Sequence, residues 1–249
     1  MSHDEKHQHS QPPPGEPARQ PIFNLPLIVA APCGLLLAIQ LADSLVLNQW
    51  EREQLLTWFA FVPYRAIEPL EIPGGFWPLL WTPVTHAFLH AGWEHVILNT
   101  VWLAIFATPV AQRYGARRLL ILFLGGAAAG AAAFAATTLP QLQVLVGASG
   151  GVAALTGAAV RFIFQPLQVG VHPETGERIV LGRRLASIAE VLRHPTARIF
   201  TLMWIVLNGI VPLLPIMMGG MEVQVAWQAH LGGFAFGFLL VPLLERKPQ

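Results

Sequence analysis

Residues 85–99 read Thr85-His86-Ala87-Phe88-Leu89-His90-Ala91-Gly92-Trp93-Glu94-His95-Val96-Ile97-Leu98-Asn99, and the chain then runs from Thr100 to Val110 without a charged residue. The stretch decides the fold, because polar groups lead straight into an apolar run long enough to cross a bilayer. A spanning helix needs about 20 mostly apolar residues. Polar and ionisable side chains at membrane depth are costly and are functional candidates by default. His95 and Asn99 are four residues apart, so a helix puts them on one face. Glu94 falls in the first turn, where negative charge is favoured by the helix dipole, and needs no chemistry to explain it.

Working outward, the rest of the 249 residues obeys the same rule: 54% are hydrophobic and 12% charged, where soluble domains carry about 25% charged residues. Mean hydropathy is +0.52, which argues against a soluble enzyme. The net charge of +1 implies no nucleic-acid partner. The single cysteine, Cys33, excludes an intrachain disulfide and a cysteine metal cluster, and reads as a small core or lipid-facing residue. Six apolar segments predict six transmembrane helices at 24–47, 94–112, 117–139, 148–165, 197–217 and 226–245. They compose one domain, 23–245, of an all-α integral membrane protein. Residues 1–22, with His3, His7, His9 and five prolines, are expected to form a disordered tail, and 246–249 a second short tail.

Two connections are long. In 48–93, Trp50, Leu55, Leu56, Trp58 and Phe59 mix with Glu51, Arg52 and Glu53, which predicts a short amphipathic piece at the interface. Asp43 is expected near the outer end of the first span. The other connection, 166–196, reads as polar and basic. With six spans, both termini share a side with thirteen of the fifteen Lys and Arg, leaving Arg52 and Arg65 opposite. The positive-inside rule therefore puts both termini in the cytoplasm. With no organelle-targeting segment in view, a bacterial inner membrane is the expected compartment.

Two further motifs lie on later spans. The fourth opens with Gly147-Ala148-Ser149-Gly150, and the sixth carries Ala229-His230-Leu231-Gly232-Gly233-Phe234-Ala235-Phe236-Gly237. A serine hydroxyl becomes a nucleophile when a base takes its proton. Gly233 and Gly237, four apart, give one helix a smooth face; Gly150, Gly151, Ala154 and Gly157 do the same on the other, and small faces let helices approach closely. That pairing brings His230 towards Ser149. Ser149 also lies at a helix N-terminus, where free backbone N–H groups favour an oxyanion. Asn99 and His95 supply side-chain donors. These are the parts of an acyl-transfer site.

The chain here resembles the rhomboid intramembrane serine proteases. The matching motifs are His90-x4-His95-x3-Asn99, Gly147-x-Ser149-Gly150 and Ala229-His230-x2-Gly233-x3-Gly237, in the family's order over roughly residues 81–245. The resemblance implies a six-helix rhomboid-like bundle with a Ser149–His230 dyad and no aspartate. It implies an oxyanion hole of His95, Asn99 and the Ser149 N–H, with His86 and His90 shaping a wet cavity. Gly147, Gly150, Gly233 and Gly237 support the site. A segment near 219–225 would cap it, the 48–93 loop would embed at the membrane surface, and the substrate would be a transmembrane segment of another protein, cut without cofactor or metal. The chain departs from the family pattern at Thr82, Ala111, Ala153 and Gln228. Of these, Ala153 replaces a ring that orients the catalytic imidazole.

Plainer readings stand beside this one. Ser149 is a good helix N-cap. His230 and Asn99 are competent interhelical hydrogen-bonding residues, and the Ala/Gly run of 117–139 is packing. His86 and His90 at i and i+4 resemble a zinc helix, but no glutamate follows His86 and no third ligand is evident. An aspartyl protease needs two carboxylates, and apart from Glu94 and Glu245 at the very ends of spans only Asp43 lies within one. A transporter would show inverted repeats, and none is evident. A client-binding pseudoprotease would lack the dyad.

Overall fold

In the computed structural model, residues 25–172, 175–210 and 226–245 are described. The expected tails at 1–22 and 246–249, and the expected cap near 219–225, lie outside them. The chain is mostly helical. Three helices are long and apolar enough to cross a membrane: Leu27–Leu45, Trp93–Thr138 and Trp227–Leu244. The expected spans at 148–165 and 197–217 coincide with shorter apolar helices, Ser149–Ile163 and Pro195–Ile210.

Helix α1 (Leu27–Leu45) buries Val29, Cys33, Leu36 and Gln40, a stripe at helical spacing that packs on α4. Leu27, Leu35, Leu41 and Leu45 point the other way and are exposed, as a lipid-facing side should be. Cys33 is therefore a core residue, its Sγ 3.8 Å from the Thr100 carbonyl. The amphipathic piece is α2 (Gln49–Phe59), started by a capping box in which Asn48 and Glu51 satisfy each other's backbone N–H. Arg52 donates back to the Asp43 and Ser44 carbonyls, which fastens α2 to the end of α1.

Between α2 and α4 the chain makes short 3-10 turns at Pro63–Ala66 and Trp77–Leu80 and a single-turn α3 (Thr82–Thr85). Arg65 organises this loop. The sequence count treats it as an outer surface charge, yet it is fully buried. Its guanidinium donates to the carbonyls of Pro73 (2.7 Å), Gly75 (2.9 Å) and Thr57 (2.6 Å). Such carbonyls have no ladder to join, and a planar five-donor group can serve several at once. Arg65→Met should orphan them at a cost on the order of 3 kcal/mol. The expected readout is a lower unfolding temperature in detergent and faster proteolysis within 66–81; an unchanged melting curve would contradict this role.

Helix α4 (Trp93–Thr138) is two helical runs joined at Gly115, whose φ of 74° with ψ of 176° only glycine adopts readily. The break falls between the second and third expected spans. The Ala/Gly run occupies the second half of α4, where buried Gly126, Ala127, Gly130 and Ala131 let neighbours close in. Helices α4, α5 (Ser149–Ile163) and α8 (Trp227–Leu240) form the densest packing unit. Helix α5 is its axis: every residue from Gly150 to Phe162 is buried.

The 166–196 connection is more ordered than its polarity suggests and adds one two-stranded sheet to an otherwise helical chain among the described residues. It holds an antiparallel hairpin, β1 (Leu167–Val171) and β2 (Arg178–Arg183), and a short α6 (Ile188–Arg193) with its own capping box from Ser187 and Glu190. Alternating Val and Ile around glycines give a strand pattern too short to register against the helical background. Helix α7 (Pro195–Ile205) follows, extended by a π-helical turn at Val206–Ile210. Arg161, also counted as a surface charge, is buried, with Nε on the Ala186 carbonyl (2.7 Å) and Nη1 on that of Phe238 (2.6 Å).

Candidate active site

The site forms where the N-terminus of α5 meets α8 and the start of α4. Ser149 is the first residue of α5. Ala148 occupies the N-cap position and no side chain caps the helix, so the N-cap reading of Ser149 does not describe this arrangement. The first backbone bond into the turn is Val152 N–H to the Ala148 carbonyl, 3.0 Å. The N–H groups of Ser149, Gly150 and Gly151 make no hydrogen bond among the described residues, as the first turn of a helix leaves them, and such free donors favour an anion.

The loop entering Ser149 is held by three histidines. The Gly147 N–H donates to the His86 carbonyl (2.9 Å), and the Ala148 N–H donates to His90 Nε2 (3.3 Å). Because Nε2 accepts, the network assigns the His90 proton to Nδ1. Gly147 has φ of 117°, and a Cβ there would stand 2.7 Å from His95 Cε1 and 2.8 Å from its Nε2. Only glycine meets both demands. His95 Nδ1 accepts a long bond of 3.5 Å from the Ala91 N–H, which leaves Nε2–H on the side of the Gly147 loop. The His90 and His95 rings meet edge to face, centroids 5.0 Å apart. His86 is fully buried, its Nδ1–H donating to the Thr82 carbonyl at 2.9 Å. Asn99 is buried and donates from Nδ2 to the His95 carbonyl (2.9 Å), with a second hydrogen left on the same nitrogen.

His230 lies on the first turns of α8. Its Nδ1 is buried and has no hydrogen-bond partner among the described residues, so no carboxylate orients the ring. His95 is within electrostatic reach of it. The sequence-derived glycine faces do meet. A Cβ on Gly233 would strike the backbone of Gly150, and one on Gly237 would strike the backbone of Ala154. A Cβ on Gly150 would reach the Ala229 carbonyl at 3.5 Å, and one on Gly130 would reach it at 2.7 Å. The neighbours of Ser149 and His230 in the chain are thus in backbone contact, with Gly126 and Gly130 of α4 closing the third side. Among the described residues no hydrogen bond joins Ser149 Oγ to His230. No ring stacks on His230 among them either; Ala153 is buried beside Trp204 and Phe234 instead.

Nothing in the sequence reveals how the 48–93 loop reaches this site. Phe61 and Leu145 exchange backbone bonds of 3.1 and 2.8 Å, Trp81 Nε1–H donates to the Trp58 carbonyl, and Thr85 to that of Phe59. Main-chain pairing between segments 84 residues apart leaves no composition signal. Burial pushes His86 from 6.5 down to about 4, and burial with the nearby His95 does the same to His90. Both rings are neutral in the folded protein at pH 7. As pH falls, the unfolded chain takes up protons near 6.5 and the folded chain only near 4, so stability should decline across that window. The unfolding temperature is expected to drop between those limits, and less steeply in His86→Asn; a flat profile would overturn the argument.

A family model described as "Rhomboid domain" matches residues 78–247, more than half of the chain. The chain is 38% identical over 79 residues to human Rhomboid-related protein 3, covering 32% of this chain and 19% of that protein. It is 38% identical over 78 residues to the mouse Rhomboid-related protein 3, covering 31% and 19%. With mouse Rhomboid-related protein 2 the identity is 32% over 77 residues, covering 31% and 25%. The chain thus matches between a fifth and a quarter of the length of these relatives.

Proposed function

The chain belongs to the rhomboid family, and on that footing we propose that it is an intramembrane serine endopeptidase that cuts a transmembrane protein in or beside its membrane segment. The observation that carries the reading is the backbone contact of α5 with α8, which sets an uncapped helix-starting Ser149 beside the helix bearing His230.

The chemistry follows from the groups present. His230 takes the Ser149 hydroxyl proton as Oγ attacks the scissile carbonyl carbon. The carbonyl oxygen becomes an anion, met by the Ser149 N–H, the His95 Nε2–H and the second Asn99 Nδ2 hydrogen. Collapse breaks the C–N bond, and His230 gives its proton to the departing amine. Water, deprotonated by the same imidazole, then hydrolyses the acyl-serine and restores the hydroxyl. The orphaned His230 Nδ1 fits a two-residue machine without an aspartate. Among the described residues the imidazole has neither that partner nor a stacked ring, so it is less firmly aimed and slow turnover is expected.

The family reading carries a six-helix bundle whose substrate is a transmembrane segment of another protein. The Lys and Arg distribution supports both termini on the cytoplasmic side. Ala153 favours a second reading, a protein that holds transmembrane clients without cutting them. The discriminating test incubates purified protein in liposomes with a single-span substrate and, separately, with a fluorophosphonate. A protease cleaves the one and is labelled by the other at Ser149; a client-binding protein does neither. Asn99→Ala should lower cleavage on the order of 10- to 1000-fold, the effect of losing one oxyanion donor, while leaving fluorescence-monitored unfolding close to wild type. Equal activity in Asn99→Ala would remove it from the site.

A further inference from the structure

The hairpin β1–β2 takes no part in the chemistry above. It follows the far end of α5, about 22 Å from Ser149 by helical rise. Only Phe164, Gln165 and Pro166 separate it from the helix, so it cannot swing away from the bundle. Its base is also clamped. Arg113 donates to the Arg183 carbonyl, Arg183 to that of Gln165, and Arg161 to that of Ala186. Arg113 pairs in turn with Glu245 at 2.5 Å, where Tyr114 also donates at 2.8 Å. The break in α4, the end of α5 and the end of α8 therefore meet at one level, with the hairpin rooted among them. Charged residues gather there because the helices leave the apolar slab at that depth.

Beyond its base the hairpin is amphipathic in an unusual sense. Cross-strand partners share a face, and Leu167, Val169 and Val171 stand opposite Arg183, Val180 and Arg178. Leu167, Val169, Val171 and Val180 are 55%, 58%, 64% and 66% exposed, and Leu181 on the bulge is 63% exposed. An isolated two-stranded hairpin is marginal in water, and an uncovered aliphatic strand is an aggregation hazard. Arg178 at one end of the stripe makes no ion pair among the described residues, and Arg184 is taken by Glu190. Aliphatic side chains beside an exposed arginine, fixed where helices exit the membrane, match an anionic lipid boundary.

We propose that the hairpin Leu167–Arg183 is a membrane-contact element, laying Leu167, Val169, Val171 and Val180 into the headgroup–acyl boundary of the bilayer the protein spans, with Arg178 on lipid phosphate. The proposal rests on membrane insertion alone and is independent of proteolysis. The test uses the full chain carrying Cys33→Ala and Val180→Cys, labelled with an environment-sensitive fluorophore and reconstituted in phosphatidylcholine vesicles with and without phosphatidylglycerol. Val169→Cys serves as a second site, and Glu177→Cys as a water-exposed reference. The expected result is a blue-shifted label at 180 and 169, quenched by bromine-bearing lipid and shielded from aqueous iodide relative to 177. Phosphatidylglycerol should deepen the shielding, and Arg178→Gln should lose that increment. Iodide quenching at 180 and 169 equal to that at 177 overturns the proposal. So does energy transfer between labels that disappears on dilution with unlabelled protein, which would make a second copy the occupant.

Discussion

Ser149→Ala and His230→Ala are each expected to abolish cleavage of a single-span substrate, by a factor on the order of 10^6, while membrane insertion and unfolding temperature stay near wild type. On the proposed mechanism the two groups act as one device. Without the imidazole the hydroxyl keeps its proton; without the hydroxyl the imidazole has nothing to activate. The double variant should therefore be no worse than either single one, because residues acting as a unit are not additive. Among the described residues neither change removes a side-chain hydrogen bond that the structure shows: Ser149 does not cap α5, and His230 Nδ1 has no partner. Fluorophosphonate labelling should disappear in Ser149→Ala and fall sharply in His230→Ala. Retained cleavage by purified Ser149→Ala would defeat the mechanism, and retained labelling would move the nucleophile elsewhere.

The second large effect is expected from the helix crossing. Gly237→Leu drives a branched side chain into the backbone of Ala154, and Gly233→Ala puts a methyl into the backbone of Gly150. Neither obstacle is a flexible side-chain end, so the helices must separate. Overpacking costs about 1–3 kcal/mol where neighbours can adjust, and backbone against backbone adjusts least. Gly237→Leu should lower the unfolding temperature severely or prevent folding. Gly233→Ala is the sharper probe, because it displaces the first turn of α5, and with it Ser149, before it unfolds anything. Its activity should fall by far more than its stability. Gly34 on α1 provides the control, since a Cβ there meets nothing within 4 Å. Gly34→Ala should be neutral or stabilising by about 0.5–1 kcal/mol through helix propensity. If Gly34→Ala and Gly233→Ala affect cleavage alike, close approach is not what positions the serine.

Much of this site is visible in the chain itself. His95 and Asn99 at i and i+4, Ser149 behind a Gly-x motif, and glycines four apart beside His230 are local patterns, and helical geometry converts local spacing into shared faces. The sequence marks α2 only as an amphipathic piece, since the hydrogen bonds of its capping box depend on Asn48 and Glu51 lying at a boundary that composition does not mark. Arg65 and Arg161 read as surface charge because charge normally stays in water, and nothing near them in sequence announces the carbonyls they serve. Those carbonyls belong to residues from 8 to 77 positions away.

What the amino-acid order settled unaided is therefore whatever repeats at helical period: apolar stretches suited to lipid, the small-residue faces, and the placement of polar groups at the entrances of particular helices. Folding in three dimensions decided the rest. It selected which glycine face meets which, pinned the Ser149 loop through the His86 carbonyl and His90 Nε2, turned the Asn99 amide onto the His95 carbonyl, and rooted a hairpin among arginines at the far end. The division has a physical cause. Burial preference and helix periodicity act between near neighbours and can be summed along the chain, whereas main-chain carbonyls in loops accept any donor, so their partners are chosen only when distant segments have already packed.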